Sequence, residues 1–354
     1  MVLTGPNGAG KTNLLEAISL LQPGPGLRRA PYGEMGRVGG SHDWSVAASV
    51  RRGDQTTAIG TGLSTRAAKD QVRGRLVRID GESRSPAALS DVLEVVWLTP
   101  GMDGLFLGPA SDRRRFIDRL ILCFDGAFRT RLNQFERAMR QRNRLLEMGR
   151  ASEREFEGLE LQMAETGIAI AAARREVVAE IRATIERRMA VVPDSPFPWA
   201  DIAIDGEIEN LLAEHAAVDV EDKYIRMLAG GRDRDRAAGR ALQGPHRSDL
   251  LVGHGLKQLP AKVCSTGEQK ALLINLVLGH AELISRRRHG AAPILLLDEI
   301  TAHLDDGRRL ALFREIVSLG IQAFLTGTDT GPFYPLKSRA QFLRVADGIV
   351  SVHG

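Results

Sequence analysis

What the sequence lacks narrows it first. Two cysteines, Cys123 and Cys264, stand far apart in 354 residues, so no disulfide framework or cysteine-based metal site follows. No apolar run reaches the ~18 residues that a membrane-crossing helix needs. No secretory leader is expected, because a glycine-rich loop already begins at Gly5. The cytosol is the expected compartment, with no membrane partner. Lysine is scarce, seven of 48 basic residues. The rest are arginine, whose planar fork pairs bidentately with phosphate. A net charge of +4 says little by itself, so the placement of the arginines matters more. With 43% hydrophobic and 26% charged residues, the composition is that of an ordinary globular protein with length for two domains.

The chain is organised around Gly5-Pro6-Asn7-Gly8-Ala9-Gly10-Lys11-Thr12. A short apolar run, Met1 to Thr4, precedes it, and Asn13-Leu14-Leu15-Glu16-Ala17-Ile18 follows. Strand, glycine-rich loop and helix in that order make a phosphate cradle. Backbone N–H groups curl inward, and the helix start adds the positive end of its dipole. In this G-x-x-x-x-G-K-T spacing Lys11 reaches the β- and γ-phosphates of ATP, and the Thr12 hydroxyl ligates Mg²⁺.

A second set of residues completes an ATPase. Pro293 to Glu299 reads as an apolar strand ending in two carboxylates, the Walker B pattern of a parallel sheet covered on both faces. Asp298 is expected to hold Mg²⁺ through water, and Glu299 to polarise the attacking water. Ser265-Thr266-Gly267-Glu268-Gln269 precedes a helix. It resembles the Leu-Ser-Gly-Gly-Gln signature of ABC-type ATPases, with Cys264 in place of Leu and with Thr266 and Glu268 substituted. In that class the signature completes the site of the other protomer. The plain alternative is a helix cap, Ser265 or Thr266 with Glu268 or Gln269. Leu304-Asp305 follows Walker B as a D-loop does in that class. Thr326-Gly327-Thr328-Asp329 ends the next apolar strand, where the class carries a switch histidine. Thr328 or Asp329 would have to sense the γ-phosphate, and His303 reads as structural. The expected Q-loop glutamine is also missing near Thr99-Pro100.

Between these halves the character changes. Pro23 to Arg29 is a basic turn. Residues 44–98 read as short strands, with a hairpin at Arg51 to Gln55, a strand over Val72 to Asp80 and a buried strand at Leu93 to Leu98. From Asp112 to about Met189 the period is helical. Phe128, Leu132, Phe135, Met139 and Leu146 form one stripe, interrupted by Arg142, and a second stripe runs from Leu159 to Met189. Two helices with a short connection make an antiparallel hairpin. The break near 149–152 carries weak turn chemistry, so a bend rather than a clean stop is expected. Eleven arginines face four acids from Arg113 to Arg150. Arg113, Arg137, Arg140 and Arg144 are candidate DNA-backbone contacts, against the plain alternative of a solvated helix face. Residues 205–242 read as polar helix, with Gly230 to Arg236 as a flexible charged loop.

Taken together, these motifs resemble the RecF family of bacterial recombination-repair ATPases, related to SMC heads. The resemblance runs through most of the chain. It rests on Gly5 to Ile18, Pro109-Ala110-Ser111-Asp112-Arg113-Arg114-Arg115-Phe116-Ile117-Asp118, Gln141-Arg142-Asn143-Arg144-Leu145-Leu146, Gly244-Pro245-His246-Arg247-Ser248-Asp249-Leu250 and the Ser265 to Gln269 signature. It implies an α/β fold, an ABC/SMC-type P-loop ATPase head with a helical lobe carrying a short antiparallel coiled-coil arm. Residues 1–108 and 241–354 would form the head and 109–240 the lobe. It implies an ATP-dependent homodimer that closes on DNA, single-stranded or gapped duplex, and hydrolyses ATP slowly to reopen. It also implies work with RecR and RecO to load RecA, in support of replication and SOS induction.

Two other functions share part of the pattern. A transporter ATPase subunit has the same three motifs but not the arginine-rich hairpin. A nucleotide-gated scaffold with little turnover fits the missing switch histidine and Q-loop glutamine. One further expectation concerns the first strand. Relatives of the family carry about two dozen residues ahead of it, so a downstream start assignment is expected here, with an unpaired sheet edge beside the P-loop strand.

Overall fold

Val2–Thr4 forms the first strand, β1, and Lys11–Ser19 the helix α1 after the glycine-rich loop. These belong to the first of two units in the computed structural model, which describes all residues except 38, 41, 64–73, 150–151, 194, 196, 289 and 353–354. That unit comprises Met1–Asp103, Asp194–Phe197 and Leu273–Gly354; the second comprises Gly104–Pro193 and Pro198–Leu272. β2 (Trp44–Arg52) and β3 (Gln55–Leu63) make the expected hairpin. β4 (Leu76–Ile79) and β5 (Glu82–Arg84) extend it to four antiparallel strands. The expected strand from Val72 starts among residues outside those described. A short helix, α2 (Leu89–Val92), leads to β6 (Val95–Leu98), buried throughout.

The second unit is mostly helical. It contains α3 (Ala110–Ile121), α4 (Phe128–Met148) and α5 (Glu153–Val191). α4 and α5 pack along each other as the expected hairpin, and both ends at the break are clean. Gly149 terminates α4 at φ 63, and Ser152 with Glu155 forms a reciprocal capping box on α5. The bend expected there is therefore two proper caps.

The apolar stripe also differs from its sequence reading. Ala138 rather than Met139 lies in the seam, and Arg142 is fully buried in it. Arg142 donates from Nε to Glu160 (2.9 Å), from Nη1 to Asp235 (2.6 Å) and from Nη2 to the Leu228 carbonyl (2.7 Å). A buried guanidinium persists only when its charge and donors are met in this way.

β7 (Ala200–Asp205) follows, then α6 (Glu207–Glu214), α7 (Ala217–Gly230) and α8 (Arg232–Ala238). The loop expected over Gly230 to Arg236 is thus largely a helix. Its charges are fixed by partners distant in sequence: Arg232 pairs with Glu160 and Glu153, and Asp235 with Arg142.

β8 (Asp249–His254) pairs antiparallel with β7, and β9 (Leu259–Pro260) with the end of β8. The return to the head expected at residue 241 therefore falls at Leu273 instead. The pairing of β8 with β7 holds residues 249–254 in the second unit. α9 (Thr266–Arg287) then carries the chain back to the first unit.

There β10 (Ile294–Leu297), α10 (Asp306–Ser318), β11 (Ala323–Gly327), β12 (Phe342–Ala346) and β13 (Ile349–Val352) complete a six-stranded sheet, in the order β13-β12-β1-β11-β10-β6. Only β13 runs antiparallel to its neighbour. Apolar strands buried on both faces suit such a parallel sheet, and Leu3, Leu15, Val95, Trp97, Leu296 and Phe324 share one core. β1 does not border an open edge. It lies inside the sheet, hydrogen-bonded to β11 on one side and β12 on the other.

Candidate nucleotide site and basic helix face

Parallel strands bring their C-terminal ends to one edge of the sheet, where α/β proteins bind ligands. Thr4 of β1 stands beside Gly327 of β11, and Leu297 of β10 beside Leu325. The glycine-rich loop leaves β1 at this edge. A Cβ on Gly5 would run into the Val345 carbonyl, so the loop lies against β12 as only glycine permits. Gly10 caps α1 at φ 105 without a side-chain bond to the helix start, so the first N–H groups of α1 remain available to an anion. Lys11, buried to 6% exposure, donates from Nζ to the Gly5 carbonyl (2.6 Å) and the Pro6 carbonyl (2.9 Å). Its ammonium thus lies across the mouth of the loop on acceptors that a phosphate oxygen can replace.

Asp298 follows β10 and is 5% exposed. It accepts from Thr12 Oγ1 at 3.1 Å and from Thr326 Oγ1 at 2.7 Å. The Thr326 hydroxyl in turn accepts from the Glu299 backbone N–H at 2.8 Å. One buried threonine therefore joins both Walker B acids to β11. Glu299 is exposed and holds φ 48, a left-handed conformation uncommon for a non-glycine residue. The Thr12 hydroxyl and the Asp298 carboxylate are hard oxygen donors that fit Mg²⁺. No cluster of three or more His, Cys, Asp or Glu among the described residues offers an alternative metal site.

Thr328, expected to face the γ-phosphate, lies two residues beyond Thr326. It is exposed and donates to Asp329 Oδ2 at 3.2 Å. The structure thus brings Thr326, not Thr328, to Asp298, a residue the sequence reading passed over. Asp305 caps α10, accepting from the Arg308 N–H at 2.8 Å. His303 is exposed at φ 64, which gives it no packing role.

In the second unit the signature takes the capping form. Glu268 Oε2 accepts from the Ser265 N–H at 3.0 Å and from Ser265 Oγ at 2.9 Å. Its other oxygen accepts from Lys257 Nζ. The Lys257 ammonium, and after it the Ser265 N–H, hold the Glu268 carboxyl down to about 2. Thr266 and Gly267 form the first turn of α9, and Gln269 ties the turn back through Nε2 to the Cys264 carbonyl (2.8 Å).

Comparison with known proteins identifies the set. The chain is 55% identical over 352 residues to the DNA replication and repair protein RecF of Mesorhizobium japonicum, covering 99% of this chain and 91% of that one. The chain belongs to the RecF family. RecF of Rhizobium etli is 52% identical over 350 residues, with the same coverage. A model of the family described as "AAA domain, putative AbiEii toxin, Type IV TA system" matches residues 1–60. Among solved structures, the recombination mediator protein RecF-ATPrS in the RecFOR pathway aligns with a TM-score of 0.82 at 22% identity, over 100% of this chain and 91% of that one. An SMC head bound to the C-winged helix domain of ScpA aligns with a TM-score of 0.53 at 15% identity, over 99% and 88%. The fold is accordingly that of an ABC/SMC-type ATPase head with a helical lobe.

The arginines of this RecF-family chain divide into two groups. Arg113 does not offer its charge to solvent. It forms a bidentate pair with Asp249 (2.7 Å for each bond) and donates to the Gly108 carbonyl, which corrects its reading as a backbone contact. Arg142, also in the basic run, is the buried residue described above. Arg137, Arg140 and Arg144 are exposed on α4, at the spacing of one helix face. Arg140 reaches Glu136 at 3.3 Å. Arg140 and Arg144, with Arg236 of α8, line a surface pocket of about 520 Å³. No helix among the described residues is long and apolar enough to cross a membrane.

Proposed function

We propose that this protein is an ATP-dependent DNA clamp of recombinational repair, working in the cytoplasm. The chain Thr12–Asp298–Thr326–Glu299 carries this reading, because it couples the phosphate loop to both Walker B acids. Gly5, Pro6, Asn7, Gly8, Ala9 and Gly10 supply the loop that wraps the ATP phosphates, and Lys11 exchanges its carbonyl partners for phosphate oxygens. Thr12 and Asp298 would hold Mg²⁺, which when bound neutralises phosphate charge. Glu299 orients the attacking water and takes up its proton. Ser265 to Gln269 of one protomer complete the site of the other, with Asp305 and Thr328 at its margin, so ATP closes a homodimer and slow hydrolysis reopens it. DNA, single-stranded or gapped duplex, contacts Arg137, Arg140 and Arg144. RecR and RecO are the expected partners, with RecA loaded in consequence.

Glu299→Gln tests this. It should retain ATP binding, abolish turnover and trap a dimer in sedimentation. A variant that stays monomeric with ATP would refute the sandwich. Two observations favour a second reading, a scaffold with little turnover: the Ser265 hydroxyl is engaged by Glu268, and no histidine stands at 326–329. ATP turnover with and without DNA at low salt separates the two.

A further inference from the structure

The signature carries a carboxylate where the Leu-Ser-Gly-Gly-Gln pattern has a neutral amide. Glu268 lies directly on the serine that would meet the partner's γ-phosphate. Two anionic groups would then share one hydroxyl. We propose that Lys257 is a positioning residue for ATP-dependent dimerisation, holding Glu268 in its capping geometry and offsetting its charge against the incoming triphosphate. This rests on the sandwich reading above.

The geometry supports a fixed role for Lys257. It sits in the turn between β8 and β9. The Lys257 N–H donates to His254 Nδ1 at 3.3 Å, and the Gln258 N–H to the His254 carbonyl at 2.8 Å. Next to it, the Gly255 N–H donates to the Trp199 carbonyl at 3.0 Å, and a Cβ on Gly255 would collide with the Trp199 indole. The hairpin is thereby locked against β7. Its one ammonium in this turn is delivered to Glu268 Oε1, while Oε2 caps α9. When the partner's phosphate arrives, the Ser265 O–H turns from Glu268 to the phosphate oxygen. The Ser265 N–H keeps Glu268 in place, and Lys257 keeps its charge compensated. Without Lys257, Glu268 loses the ammonium on Oε1, and its charge meets the incoming triphosphate less compensated, which disfavours association.

Sedimentation at low salt with ATP tests this with the full chain. Lys257→Met should weaken ATP-dependent dimerisation about tenfold or more, with ATP affinity of the monomer unchanged. Lys257→Arg should dimerise as wild type does. The decisive variant is Lys257→Met/Glu268→Gln: the amide oxygen still accepts from Ser265, the charge is gone, and dimerisation should return. If Lys257→Met dimerises normally, or if the double variant is no better than the single, Lys257 is not a positioning residue. A wild-type chain that stays monomeric with ATP refutes the sandwich and this proposal with it. A wild-type dimer with unaffected Lys257→Met refutes this proposal alone.

Discussion

Thr326→Val removes a hydroxyl and keeps the shape, at a position with 0% exposure. Two bonds disappear together. Asp298 loses a 2.7 Å donor, and the Glu299 N–H loses its 2.8 Å acceptor. A bond to an ionised group contributes about 1.5–3 kcal/mol, and an orphaned buried donor costs about 1–3 kcal/mol. Asp298 keeps Thr12 as a donor, which relieves part of the loss, so the expected destabilisation is about 2–4 kcal/mol. Calorimetry of the full chain should show the first unit melting roughly 5–15 °C lower. Thr326→Ser, which retains the hydroxyl, should stay within about 1 kcal/mol of wild type. ATP turnover should fall roughly 10–100-fold in the valine variant, as for other residues that orient a metal-holding carboxylate. If Thr326→Val melts with the wild type and hydrolyses at its rate, Thr326 does not organise the Walker B acids.

Arg142→Met should destabilise the second unit by about 3–5 kcal/mol, because Glu160 and Asp235 lose a buried partner. Adding Asp235→Asn should recover part of that in urea titrations, and a loss below about 1 kcal/mol would contradict the buried-pair account. His246 is held below the ordinary imidazole value of 6.5, chiefly by burial. Its Nε2 faces the Ala241 carbonyl at 3.0 Å and so carries the proton, while the buried Nδ1 has no hydrogen-bond partner among the described residues. The unfolded chain therefore binds a proton below pH 6.5 that the folded chain resists, so stability is present above that pH and declines as pH falls through it. Urea midpoints at about pH 7.5 and about pH 5.5 should show the decline, and His246→Gln should flatten it. Neutralising Arg137, Arg140 and Arg144 together should weaken binding to all DNA sequences and make the salt slope shallower by roughly 2–3. An unaltered slope would leave them as a solvated helix face.

The nucleotide half of this protein is legible in its sequence because chemistry fixes residue types at fixed spacing. Gly5 to Thr12 and Asp298-Glu299 need no tertiary information to be found. The sequence reading considered Thr328 or Asp329 and not Thr326, because which residue of 326–329 meets Asp298 depends on how β11 registers with β1 and β10. Arg142 interrupts an apolar stripe, and periodicity alone cannot tell that two acids far along the chain will meet it there. The same network turns Arg232–Ala238 into a helix where glycines and alternating charge indicate a loop. Arg113 reads as free positive charge until Asp249, on a strand far away in sequence, claims it. Local motifs survive without their context, whereas buried charges take their meaning from partners that only the fold supplies.

The interior position of β1 has a consequence for how the protein is made. β1 is synthesised well ahead of both neighbouring strands, β11 and β12, which lie more than 320 residues later in the chain. At ~5–20 residues per second, that separation lasts roughly 16–70 s. During that interval the phosphate loop has no sheet to hang from, while the hairpin of α4 and α5, built from contacts near in sequence, can already form. The nucleotide site is therefore among the last parts of the molecule to exist. The phosphate loop is held by its sheet only after β11 and β12 have been made.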